Sequence, residues 1–328
     1  MDEFELIERY FSRLGAVRSD VALGVGDDAA LISVPEGAEL VAAVDTIVAG
    51  RHFPPDSDAH SIGHRALAVN LSDLAAMGAT PAWATLALTL PDAEPAWLER
   101  FSSGFSQLAA EHGIALVGGD TTAGPLTVSV QLMGHVPRGA ALRRGGAREG
   151  DLLAVTGTLG DAGAGLALAT HALAARDPSA ARELKRRFEY PTPRVELGLA
   201  ARGVATAAMD LSDGLAGDLP RLAAASGLAA HVEIDRLPLS RALESQADAQ
   251  QARDWALGAG DDYELLLAVP PERFPGLEAR AAQLNLRLTA IGELRRGTRV
   301  AWTLHGAEIE VQLRGYDHFR RASTQITV

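Results

Sequence analysis

The sequence predicts a mixed α/β protein, of the α/β or α+β type, built as two segments that meet near residue 148. Three observations carry this. Strand-like and helix-like hydrophobic patterns alternate along the chain. A polar stretch rich in glycine and arginine, PRGAALRRGGAREGD (137–151), interrupts them midway. The 328 residues also exceed the size at which one hydrophobic core usually stops growing. The expected domains are 1–147 and 148–328.

Phe4, Ile7, Phe11 and Leu14 recur at helical spacing, so an amphipathic helix opens the chain. Residues 39–48 read as a strand. Residues 62–77 read as a helix that buries Ala66, Leu67, Leu74 and Ala75. An alternating strand is expected at 82–90, and a helix at 95–112 carrying Trp97, Leu98, Phe101, Phe105 and Leu108. Strands at 114–117 and 126–136 complete the first segment. The polar stretch suits a linker and a phosphate-contacting loop equally well. Beyond it come a strand at 152–155, the glycine-rich TGTLGDAGAG, a helix, and strands near 205–209, 230–234 and 265–269, interleaved with helices. From residue 286 onward short strands predominate.

Composition narrows the function. The net charge of −12 argues against nucleic acid and anionic membrane as partners, since both need a basic face. It also means that a polyphosphate ligand would require cations. The chain has no cysteine, which excludes disulfides, zinc-thiolate sites and cysteine nucleophiles. The acidic, amphipathic start MDEFELIERYF is unlike a signal peptide, and no apolar run reaches the length of a membrane span. A cytoplasmic address is expected. Lys185 is the sole lysine, in a helix-end context, and no P-loop occurs.

The chemistry concentrates on aspartates. Aspartate is common in turns and caps, so context must select among them. Asp27 and Asp28 follow a Gly-x-Gly and precede an apolar run. Asp45, Asp120 and Asp210 close apolar strand-like runs, where α/β sheets place ligand sites, and Asp213 follows three residues on. Asp73 lies between Leu71 and Leu74 in the helix. Carboxylates beside apolar segments need a partner. Arginine pairing remains open, but a hard cation such as Mg²⁺ is the simpler solution. Glycines at 118–119 and 157–165 would let backbone approach phosphate, or serve only as turns. Arg144 is suited to binding a phosphate or to remaining solvated. His60 and His64 have metal-compatible spacing without an evident third ligand, and His52 is better placed, after the Asp45 strand. Two motifs echo between the halves: G-x-G-D-D-x-x-L at 24–31 and 258–265, and L-S-D at 71–73 and 211–213.

Taken in order, GVGDDAAL, VDTIVAGRHF, AVNLSDLAAMGA, LVGGDTT, MDLSDGL, GAGDDYEL and GYDHF closely resemble the thiamine-monophosphate kinase family. That family lies within the superfamily of aminoimidazole-ribonucleotide synthetase-like ATP-binding proteins. The resemblance spans about residues 4–319. It implies two α/β domains, a homodimer whose N-terminal strands form a shared barrel, and ATP between the domains. It further implies that Asp28, Asp45, Asp73, Asp120, Asp210 and Asp213 hold several Mg²⁺ ions on the triphosphate. Gly119, Asp120, Arg144 and Ser212 would contact ATP, while His52, Asp261 and Tyr316 would line the thiamine monophosphate pocket. The family commonly has Glu where this chain has Asp261, which keeps the charge but shortens the reach. The implied acceptor is a phosphate monoester, already largely anionic at neutral pH, so no general base is needed; none is evident in the sequence. Selenide-activating and hydrogenase-maturation members of the superfamily use a Cys or selenocysteine that this chain lacks. A catalytically idle nucleotide-binding module would not need its aspartates intact.

Overall fold

The computed structural model describes residues 3–311. Helix α1 (Glu3–Tyr10) precedes a small antiparallel pair, β1 (Val21–Leu23) and β2 (Leu31–Ile32). Then follow β3 (Ala38–Val48), α2 (Ala59–Ala76), β4 (Thr80–Leu90), α3 (Pro95–Glu111), β5 (Ala115–Ala123) and β6 (Thr127–Pro137). These strands form a sheet of order β3-β6-β4-β5, antiparallel except for the β4/β5 pair.

The second half contributes β7 (Leu152–Thr156), α4 (Asp161–Ala169), α5 (Pro178–Glu189), α6 (Val195–Ala201), β8 (Ala207–Asp210), α7 (Leu215–Ala225) and β9 (Ala229–Glu233). It continues with α8 (Arg241–Gln246), α9 (Ala249–Gly258), β10 (Leu265–Val269), α10 (Phe274–Gln283), β11 (Leu288–Arg295), β12 (Val300–Leu304) and β13 (Ala307–Ile309). Its seven-stranded sheet runs β13-β12-β9-β11-β7-β10-β8, antiparallel except at β12/β9. The fold is mixed α/β, and among the described residues neither sheet closes on itself. The strand-end rule for parallel sheets therefore does not apply to the aspartates here.

Helix α2 holds the two sheets together. It is apolar on nearly every side because it is covered on nearly every side: Leu67, Ala68, Leu71, Leu74 and Ala75 are all fully buried. It packs on α3, α6, β3, β6 and β8. Its crossing with α3 is close because glycines face each other: a Cβ on Gly63 would lie 2.1 Å from the Phe101 carbonyl oxygen, and one on Gly104 2.0 Å from that of His60. Interior strand β10 reads LLLAV without alternation because both of its faces are covered. Leu265, Leu267 and Val269 join the core around α2, while Leu266 and Ala268 join the core beneath α7.

The stretch 138–151 is no free linker. The Leu142 amide donates to the Met77 carbonyl (3.0 Å) and the Ala208 amide to that of Arg143 (2.8 Å), which fastens the segment to the end of α2 and to β8. The echoed L-S-D motifs sit in unlike settings, one inside α2 and the other in the turn after β8. Among the described residues no helix is long and apolar enough to cross a membrane.

Candidate functional site

The NLSD segment of α2 gathers carboxylates from both sheets. The Asn70 side-chain oxygen accepts the Asp45 amide (3.0 Å) from β3, while its Nδ2 donates to the Ala66 carbonyl (3.1 Å). Three residues on and so on the same face, Asp73 shares a hydrogen bond with the Asp45 carboxylate. Ser72 points the other way and donates to Asp210 Oδ2 at the end of β8 (2.8 Å). Asp45, Asp73 and Asp210 thus form one cluster, and Asp73, Asp210 and Arg144 line a cavity of about 260 Å³ with Val41, Met77 and Met209.

This cluster has too much negative charge for its surroundings. Burial, then the charges of Asp210 and Asp45, push the Asp73 carboxyl up to about 8, against the opposing charge of Arg144. Burial pushes Asp210 up to about 6, opposed by the Ser72 bond and reinforced by the Asp45 charge. Burial also raises Asp45, against the bond from Asp73. Burial and mutual repulsion thus favour a proton or a cation on the cluster near neutral pH. Among the described residues, no three carboxylate or imidazole groups converge as a ready-made metal cage. The donors nonetheless suit Mg²⁺, which usually takes one or two carboxylates and completes its octahedron with water and phosphate oxygens.

Beyond β8 the chain turns into α7. Asp218, buried in the first turn, accepts the amides of Ser212 (3.1 Å) and Asp213 (2.9 Å), and Arg221 joins Asp213 (2.6 Å) to Asp218 (2.8 Å). Asp213, three residues beyond Asp210, is therefore held by an arginine. The Ser212 amide is already engaged, which leaves its hydroxyl for a ligand.

Other expected residues lie elsewhere. Asp45 and Asp120 are interior to their strands rather than at the ends, because β5 runs on to Ala123 and β3 to Val48. Register places Asp45, Val130, Leu86 and Gly119 in one row across the sheet. Asp45 and Asp120 therefore occupy opposite edge strands, three strand spacings or about 14 Å apart. They also point to opposite faces, since Asp120 shares a row with Thr46, Ser129 and Ala87. Within one chain they do not meet. Asp28 is exposed in the turn between β1 and β2, its amide bonded to Asp27 (2.8 Å). Gly119 has a packing reason for being glycine: a Cβ would fall 1.9 Å from the Leu86 carbonyl oxygen. His52 closes the turn after β3, its Nδ1 accepting the Val48 amide (3.0 Å). Asp261 pairs with Arg65 (2.6 Å). Tyr316 and the GYDHF motif lie outside the described residues.

Several amides of the glycine-rich segment 156–165 are already engaged, among them those of Gly157 with the Arg287 carbonyl (2.8 Å) and Leu159 with that of Pro238 (3.0 Å). Asp262 fills the start of α4, accepting from Gly160 (2.7 Å) and Ala162 (3.3 Å). Sequence reasoning missed Asn70, Ser72, Asp218 and Arg65. Their signal was present, as polar side chains inside otherwise apolar helical runs.

Two family models match the chain: AIR synthase related protein, N-terminal domain, over residues 26–136, and the corresponding C-terminal domain over 148–305. The thiamine-monophosphate kinase of Salmonella typhimurium is 46% identical over 318 residues, covering 97% of this chain and 98% of that protein. The chain belongs to the thiamine-monophosphate kinase family. Solved structures of the family agree. That of the thiamine-monophosphate kinase from Stenotrophomonas maltophilia superimposes with a TM-score of 0.83 at 49% identity, covering 88% of this chain and 92% of its own. AaThiL complexed with AMPPCP and TMP superimposes with a TM-score of 0.78 at 33% identity, covering 90% and 92%.

Proposed function

We propose that the chain transfers the γ-phosphoryl group of ATP to the phosphate of thiamine monophosphate, giving thiamine diphosphate and ADP. The observation that carries this is the Asp45–Asp73–Asp210 cluster, whose Asp73 and Asp210 line, with Arg144, a cavity where residues from both halves meet. The family relative that holds AMPPCP and TMP together supports the same pair of substrates.

An oxygen of the acceptor phosphate attacks the γ-phosphorus in line, and the bond to the β–γ bridging oxygen breaks as ADP leaves. The acceptor arrives ionised, so no residue has to remove a proton from it. Mg²⁺ bound at the cluster would supply the positive charge that lets the two anionic phosphates approach. Asp45, Asp73 and Asp210 form the core of that metal site in this reading, with Asp213 at its rim. Asp28 and Asp120 are assigned to it by family resemblance. Arg144 and the Ser212 hydroxyl bind ATP phosphates, Gly119 is assigned to ATP by family resemblance, and His52, Asp261 and Tyr316 receive the acceptor.

The reading includes a homodimer. Strand β3 is an edge strand of 11 residues, and on its face away from α2 Leu40 and Val44 are 50% and 65% exposed. A long apolar edge of this kind calls for a partner, and a second copy of the sheet completing a shared barrel would cover it. Chromatography of products with each acceptor in turn tests the chemistry. Thiamine monophosphate should be converted with Mg²⁺ and not with EDTA, and free thiamine should be inert. Efficient diphosphate formation from free thiamine, or ADP release indifferent to acceptor, would overturn the reading.

A further inference from the structure

Helix α2 carries one buried cation that the phosphate cluster does not use. Arg65 is only 2% exposed, and a guanidinium withdrawn from water needs partners. Its partners come from the second half of the chain. Nη2 lies 2.6 Å from Asp261 Oδ1, Nη1 donates to the Phe188 carbonyl, and the group sits 4.4 Å from the Phe188 ring centroid and 5.9 Å from that of Tyr263. Nε is buried without a hydrogen-bond partner.

Asp261 is restrained from other sides as well. The Tyr263 hydroxyl donates to the same Oδ1 (3.2 Å). Asp261 and Tyr263 have φ of 72° and 49°, left-handed values that disfavour residues bearing a Cβ. Their amides donate to the carbonyls of Ser212 and Leu211, each at 2.9 Å, so this turn is anchored on the segment that supplies Asp210 and Asp213. Such strain persists where the surroundings over-determine it, commonly at a ligand site. Both side-chain bonds end on Oδ1, and the Asp261 side chain remains 29% exposed.

We propose that Arg65 is the positioning residue of the acceptor site: it clamps Oδ1 of Asp261 so that the exposed part of the carboxylate meets the acceptor's cationic or N–H-bearing heterocycle in one orientation. This rests on the assignment of Asp261 to the acceptor. Arg65 lies eight residues before Asp73 on the same helix, a rise of about 12 Å. Helix α2 thereby sets the separation between the carboxylate that receives the heterocycle and those that surround the phosphates.

Steady-state kinetics on R65M, R65Q, R65K, D261N and the double variant R65M/D261N test this. R65M and R65Q should raise the acceptor KM about tenfold while moving the ATP KM by less than about twofold, and R65K should recover part of the loss. D261N should show a similar acceptor defect, and adding R65M to it should cost nothing more, because Arg65 acts through Asp261. If D261N has a normal acceptor KM, the assignment of Asp261 fails, and the role of Arg65 fails with it. If D261N is impaired but every folded Arg65 variant keeps its acceptor KM within about twofold of normal, the role of Arg65 alone is overturned. An ATP KM raised as much as the acceptor KM, or defects that multiply in the double variant, would also overturn it.

Discussion

Asp73 is a half-buried carboxylate crowded by the like charges of Asp210 and Asp45. Its carboxyl titrates near 8 in the folded chain, against about 4 when unfolded. The folded protein thus keeps a proton that the unfolded chain releases across that interval. Its contribution to stability is full below pH 4 and is lost as pH rises toward 8. In EDTA, D73N should therefore gain melting temperature relative to the parent as pH goes from 5 to 8, and Mg²⁺ should stabilise the parent more than the variant. Thermal unfolding at several pH values checks both; a constant difference between the two proteins would refute the cluster. Arg144 is the opposing charge beside Asp73 and Asp210, so R144A should raise the KM for ATP well above any change in the acceptor KM. Separate titrations of the two substrates decide it, and a selective acceptor effect would move Arg144 to the other side of the site.

At the scale of elements, the site depends on α2 being held rigidly between two sheets. The Gly63–Gly104 crossing leaves no room for a side chain, so G104V should force α3 away and lower stability by about 1–3 kcal/mol. Chemical denaturation measures this, and an unchanged midpoint would mean that the crossing yields easily. A second support lies after the Asp261 turn. Glu264 is fully buried and pairs with Arg187 (2.8 Å) and Arg194 (2.5 Å), with Thr156 donating to it as well (2.6 Å). Burial alone would raise this carboxyl, but the charges and hydrogen bonds of Arg194 and Arg187 hold it below the usual range. Its stabilising contribution is accordingly present above the ordinary glutamate value and is lost on acidification. E264Q leaves two arginines short of charge and should cost about 3–5 kcal/mol, seen in the same denaturation experiment. Near-native stability would show that Thr156 and neighbouring carboxylates suffice.

At the scale of the molecule, β3 is a long sheet edge with exposed apolar side chains that no other described segment covers. In the proposed dimer, V44K places a charge on the exposed face of β3 and should shift the mass measured by light scattering toward the monomer. An unchanged dimer would place the interface elsewhere. Activity should fall in parallel if Asp120, on the far edge and the far face from Asp45, is needed in a site it cannot reach within its own chain.

Most elements were legible from hydrophobic period. Residues 265–269 form a strand with the expected bounds, and the helix expected at 95–112 ends one residue earlier, at Glu111. Periodicity is a local property, set by which faces of a segment avoid water, so a linear pattern suffices to show it. The kind of chemistry was also written locally, in aspartate-rich motifs without a lysine cradle or a cysteine. What needed the tertiary structure was who meets whom. The family resemblance named six aspartates as equals; the fold gathers Asp45, Asp73 and Asp210, ties Asp213 to Arg221, leaves Asp28 in an exposed turn, and carries Asp120 on the opposite edge strand and the opposite face. Nor could spacing reveal that Ser72 reaches Asp210 across 138 residues, or that Arg65 clasps Asp261. Charge pairing and pKa depend on distances of a few ångströms and on exclusion of water, and both exist only once the two sheets close on α2.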